Sequence, residues 1–230
     1  FRQTDFMVRV MDGTVFTGAV DPRMSRMLAP SIGLSETAPA SAANPDPTKY
    51  TFIGNPLSVT ASTANGPSRI PNLWGTFLAG SATTPGRYIF RDKADFPLMT
   101  YAEIQFIKAE AAFIKQDKAL ALAAYKKGIE ASIDFVNANT VVSTSYPITS
   151  TITAAEKTAF LANTNVVPTE ANLTMSHIIL QKYISLFGFG DLEAWTDMRK
   201  YHYDNINIYK TMNIPSGAGL FADNGGKLPY

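Results

Sequence analysis

The chain has 230 residues, 46% of them apolar, enough for one large domain with a buried core and too apolar for a disordered chain. A net charge of +1 leaves no electrostatic footprint for nucleic acid. Zero cysteines exclude disulfides, thiolate metal sites, a cysteine nucleophile and a lipidated cysteine within this stretch.

Residues 1–20 alternate in part, with Phe6, Val8 and Val10 on one side and Asp12-Gly13 as a turn signal, which predicts a short hairpin. Asp21-Pro22-Arg23 then opens a helical or irregular piece running to Leu28, with Arg23 expected in a buried-edge salt bridge rather than on a ligand. Residues 29–96 are rich in Pro, Ser, Thr and Gly, including Pro30, Pro39, Pro45, Pro47 and Pro56, and cannot be regular helix. Two aromatic islands interrupt them, Tyr50-Thr51-Phe52-Ile53 and Asn72-Leu73-Trp74-Gly75-Thr76-Phe77, and residues 87–91 read as a short returning strand.

The strongest helical text is residues 97–137. Thr100 and Glu103 have capping-box spacing, Met99 and Ile104 fall where a hydrophobic staple would bracket the cap, and Ala102, Phe106, Ala109 and Phe113 make one stripe. Lys115-Gln116-Asp117 closes this helix and offers Asp117 as the N-cap of a second, on which Leu122, Tyr125, Ile129, Ile133 and Val136 share a face. Abundant alanine and a mid-helix Gly128 predict close approach in an antiparallel helix hairpin. Residues 138–152 follow as a β-branched, Ser/Thr-rich connector containing Tyr146. Thr153 and Glu156 form another capping box ahead of a short helix to about Asn163. After a loop at 163–172, Met175 to Phe187 is apolar around most of its circumference, which predicts a helix buried between neighbours and stopped by Gly188 and Gly190. Asp191 is then expected to cap a helix over DLEAWTDMRKYH, with Trp195 in the core. The tail from Asn205 alternates at Ile206, Ile208 and Met212 before turning Gly-rich.

Catalytic and metal signatures are missing. Glu103 and Glu110 share a face, but seven residues of helix rise is about 10.5 Å, too far for a glycosidase carboxylate pair. His177 and His202 have no metal-ligand spacing, GFG at 188–190 lacks the third glycine of a dinucleotide loop, and Asp223-Asn224-Gly225-Gly226 lacks the oxygen ligands of a calcium loop. No catalytic residue, metal site or cofactor is expected. Ligand contacts are placed instead at Trp74, with Asn72, Arg69 and Phe77 beside it and Tyr50 as a weaker candidate: an aromatic face stacks on sugar C–H groups while amide and guanidinium groups bond hydroxyls.

The fold class that follows is mainly α, tetratricopeptide-like helical hairpins with long irregular loops and a few short strands. The parts are a loop-rich 1–96, a helical 97–204 and an extended tail 205–230. LMTYAEIQFIKAEAA (Leu98 to Ala112), AYKKGIEASI (Ala124 to Ile133) and ILQKYISLFGFGDLEAWTDMRKY (Ile179 to Tyr201) resemble the SusD/RagB-like family of Bacteroidota, nutrient-binding lipoproteins of the outer membrane. Asp21-Pro22-Arg23 is a looser match. The resemblance implies cell-surface capture of an oligosaccharide and its delivery to a TonB-dependent (SusC-like) transporter, with no reaction. It also implies a lipid anchor lying outside this stretch, which is read as a C-terminal piece of a longer protein. The alternatives are a helical-repeat scaffold that binds a peptide or protein and, further off, a glycosidase using Glu110.

Overall fold

A computed structural model describes residues 3–29, 52–55, 88–91, 94–142, 149–214 and 228. Within them the chain is mainly helical. The α-helices are α1 (Asp5–Met11), α2 (Met24–Met27), α3 (Tyr101–Ile114), α4 (Lys118–Ala138), α5 (Ala154–Ala162), α6 (Met175–Ser185) and α7 (Asp191–Lys200). β structure among the described residues is confined to bridges, one of them between Thr4 and Asn55 and another at Thr149.

The hairpin of α3 and α4 forms as the local signals require. Thr100 accepts the Glu103 N–H at 3.2 Å and starts α3; the reciprocal bond that would complete a capping box is not made. Gln116 takes a left-handed φ of 64° to turn the chain, and Asp117 accepts the Leu120 N–H at 3.0 Å to start α4. Ala102, Phe106, Ala109 and Ala112 of α3 face Ala121, Tyr125, Ile129 and Ile133 of α4 in the core. Gly128 shows why the small residues matter: a Cβ there would lie 2.7 Å from the Phe106 ring. Phe106 in turn meets Tyr125 edge-on, with ring centroids 6.2 Å apart.

Helix α6 packs across both helices of the hairpin and against α1, and its Ile178, Ile179, Leu180 and Ile184 are all buried. Gly188, at φ 91°, ends this stretch where a side chain would strike Phe90 and Ile89. Thr153 and Glu156 make the full capping box of α5.

Several local expectations are overturned. Residues 5–11 are helix, not a hairpin: Thr4 accepts the Met7 N–H at 3.1 Å, and Phe6, Met7, Val8, Val10 and Met11 are all buried. That burial on nearly every side hides the helical period behind an apparent alternation. Residues 88–90 form a 3₁₀ turn, with Tyr88 at φ 51°, which no strand accommodates. Gly190, not Asp191, is the N-cap position of α7; Asp191 is its first residue. Trp195 is 43% exposed rather than core, with the Arg199 guanidinium 4.8 Å from its ring centre. What α7 buries is Asp197, paired with Lys182 of α6 at 2.7 Å. Residues 205–211 are a run of turns, not an extended segment, and leave Ile206 exposed while burying Met212.

Candidate functional site

The Asp21-Pro22-Arg23 segment fixes the helices that frame everything else. Arg23 is fully buried, held by both carboxylate oxygens of Asp21, and donates to Ser132 Oγ of α4 at 2.8 Å and Gln181 Oε1 of α6 at 2.5 Å. Arg26 reaches the Ser150 carbonyl at 2.9 Å and Glu156 of α5 at 3.1 Å. The expected salt bridge of Arg23 is present, and it is structural.

Two concave sites open on this frame. The first, about 460 Å³, lies at the N-terminal end of α6, between the loop after α1 and the segment joining α5 to α6. Its walls are tied by specific bonds. Asn165 Nδ2 donates to the Thr17 carbonyl at 2.8 Å, Tyr125 OH to the Val166 carbonyl at 2.7 Å, and Ser176 Oγ to the Ile208 carbonyl at 2.7 Å. His177 sits on its floor within ring contact of Phe16 and Tyr125. Thr174 and His177 complete a capping box in which the Thr174 N–H donates to His177 Nδ1 at 3.3 Å. The neutral imidazole therefore carries its proton on Nε2. Burial, reinforced by the neighbouring Lys210 charge, holds the His177 pKa down at about 4.

The second concavity, about 660 Å³, lies between the entry to α3 and the outer side of α4, with Met99, Tyr101 and Phe135 beside Lys127, Glu130 and Asp134. It borders an apolar surface. Leu98, Met99, Tyr101, Ile104, Ile107 and Ile114 are all exposed, Leu98 at 94%. Met99 and Ile104 thus lie open on this surface instead of stapling a buried cap. Along α3 the exposed Tyr101, Ile104, Ile107 and Ile114 form a stripe opposite the buried one. Lys108 and Ala111 share that exposed side of the helix.

Glu103 and Glu110 are both buried. Burial raises the Glu103 pKa against the opposing pull of Lys182, and Glu110 is bonded by Lys200 and the Tyr201 hydroxyl. Among the described residues no group of His, Asp and Glu is placed to hold a metal ion, and no helix is long and apolar enough to cross a membrane.

The sugar-contact candidates Trp74, Asn72, Arg69, Phe77 and Tyr50 all lie outside the described residues, as do Tyr146 and the turn at Asp223. The structure instead brings together Thr169, Asn172, His177 and Lys210, none of which stood out as a ligand group in sequence. The available signal was the density of Asn and Thr between Asn163 and Thr174, which reads as an ordinary loop until the fold closes it against residues 15–17 and Lys210.

Helical hairpins carrying irregular connections and solvent-facing concavities define a binding scaffold. Residues 16–218 match the SusD-like family described as starch-binding and associating with outer membrane, so the chain belongs to that family. No curated protein and no solved structure matches it.

Proposed function

We propose that this protein captures an oligosaccharide at the outer face of the outer membrane and passes it to a TonB-dependent transporter without carrying out a reaction. The family match over residues 16–218 carries the reading. A non-catalytic role is supported by Glu110, whose carboxylate is bonded by Lys200 and the Tyr201 hydroxyl. The exposed stripe of α3 supports a protein partner on that side. Attachment to the membrane is through a lipid anchor outside this stretch of chain.

Sugar contact is assigned to Trp74, with Asn72, Arg69, Phe77 and Tyr50 around it, on the chemistry of their side chains. Calorimetric titration with a panel of oligosaccharides tests this directly. Trp74→Ala is expected to weaken sugar binding at least tenfold with little change in melting temperature. A large loss of stability with unchanged affinity would make Trp74 a packing residue and remove the assignment. Co-purification with the transporter tests the docking face. Ile104→Glu combined with Ile107→Glu should abolish capture while leaving sugar affinity intact, and undiminished capture would place the interface elsewhere.

A further inference from the structure

We propose that the cavity at the head of α6 is a separate ligand site, shaped for a small hydroxylated anion of the uronic-acid class. This goes beyond the oligosaccharide reading, since it uses none of the loop residues around Trp74. The volume of about 460 Å³ falls within the roughly 300–1,000 Å³ of small-molecule sites. Among the described residues of its lining, Lys210 is the only charged side chain, and no carboxylate joins it. The nearest acidic side chains in sequence are spoken for or turned out. Asp12 accepts the Thr14 N–H at 2.8 Å, and Glu170 is exposed outside the lining.

The remaining groups are those a sugar acid needs. His177, with Nδ1 committed to the helix cap, has Nε2–H left as a donor. The first-turn amides of Met175 and Ser176 have no acceptor among the described residues, as expected at a helix N-terminus, and they favour negative charge beside them. Asn172 and Thr169 supply amide and hydroxyl partners that suit ring hydroxyls. Lys210, exposed at the edge of the cavity, and the helix N-terminus beside it both favour a carboxylate over a neutral sugar. Among the described residues one lysine and no arginine line the cavity, which matches a monoanionic carboxylate more closely than a phosphate dianion. The walls are bonded to one another across four separate segments, so the site is formed before any ligand arrives.

The test is an NMR titration of the full chain with D-glucuronate, with D-glucose and inorganic phosphate as parallel probes. Glucuronate should shift the resonances of Ser176, His177 and Asn172 saturably and raise the His177 titration midpoint, because a bound anion offsets Lys210. Glucose should bind at least tenfold more weakly and leave that midpoint in place. Lys210→Met, which keeps the alkyl stem of an exposed side chain, should weaken glucuronate at least tenfold, and Asn172→Ala several-fold. Equal binding of glucose, tighter binding of phosphate, an unchanged Lys210→Met variant, or shifts confined to other parts of the molecule would each overturn the proposal. The readout is local to the cavity, so a negative result here is distinct from a negative oligosaccharide titration.

Discussion

Two junctions, one inside the hairpin and one between the hairpin and the rest of the molecule, work by different physics. Where α3 meets α4, alanines and Gly128 let the backbones approach until Phe106 fills the gap, and nothing polar is involved. Where α4 meets α6 and the N-terminal segment, the fully buried Arg23 joins Asp21, Ser132 and Gln181. The first junction depends on volume and tolerates small errors by side-chain adjustment. The second depends on complete pairing, since a buried charge without its partner is far costlier than a misplaced methyl group.

Breaking the polar junction should therefore have the largest effect. Arg23→Met leaves the Asp21 carboxylate buried and unpaired, and is expected to cost about 3–5 kcal/mol in urea denaturation. Adding Asp21→Asn should recover part of this loss, because it removes the stranded charge while keeping an acceptor for the Arg23-position N–H. A double variant no more stable than the single one would mean that Arg23 acts by packing alone. At the apolar junction, Gly128→Ala should cost less, about 1–3 kcal/mol of overpacking against Phe106, offset by about 1 kcal/mol of helix propensity. Phe106→Leu in the same chain should couple to it non-additively, and simple additivity of the two in denaturation midpoints would place the strain elsewhere.

The contrast also explains what was legible in sequence. The apolar junction was readable because its signals are local: caps at Thr100 and Asp117, small residues at helical spacing, and a glycine in mid-helix. Arg23 could be read as a structural ion pair, but its reach to Ser132 and Gln181 is set by long-range folding that no local pattern encodes. The same limit accounts for the misplacement of Trp195. A tryptophan among helical residues looks like core until the Lys182–Asp197 pair decides which face of α7 turns inward. It accounts as well for the cavity at the head of α6, whose lining comes from residues as far apart as Val15 and Lys210. The outward stripe of α3 was visible as apolar residues, yet nothing in its composition distinguished an exposed face from a buried one.

Helix caps lie between the two regimes, being local in sequence but polar in nature. Thr153→Ala removes the side chain that accepts the Glu156 N–H and should cost about 1 kcal/mol. Glu156 also pairs with Arg26, so losing the cap should loosen α5 from the N-terminal segment as well. Faster amide exchange at both the start of α5 and Arg26 would show that coupling; an effect confined to α5 would separate the two.

A change of pH sharpens the comparison in another way, because it charges a group that the fold keeps neutral. His177 has a folded pKa of about 4 against an ordinary value near 6.5. Between those values the unfolded chain binds the proton and the folded chain does not. Stability from this group is therefore complete above about pH 6.5 and is lost as pH falls toward 4, at no more than about 1.4 kcal/mol per pH unit. His177→Gln is the useful control, because Gln at the third helical position preserves capping-box chemistry without titrating. Urea midpoints measured from pH 7 down to pH 4.5 should fall faster for the wild-type chain than for the variant. Parallel curves would mean that the imidazole is solvated well enough to protonate in place, and that the floor of the cavity is wetter than its contacts with Phe16 and Tyr125 indicate.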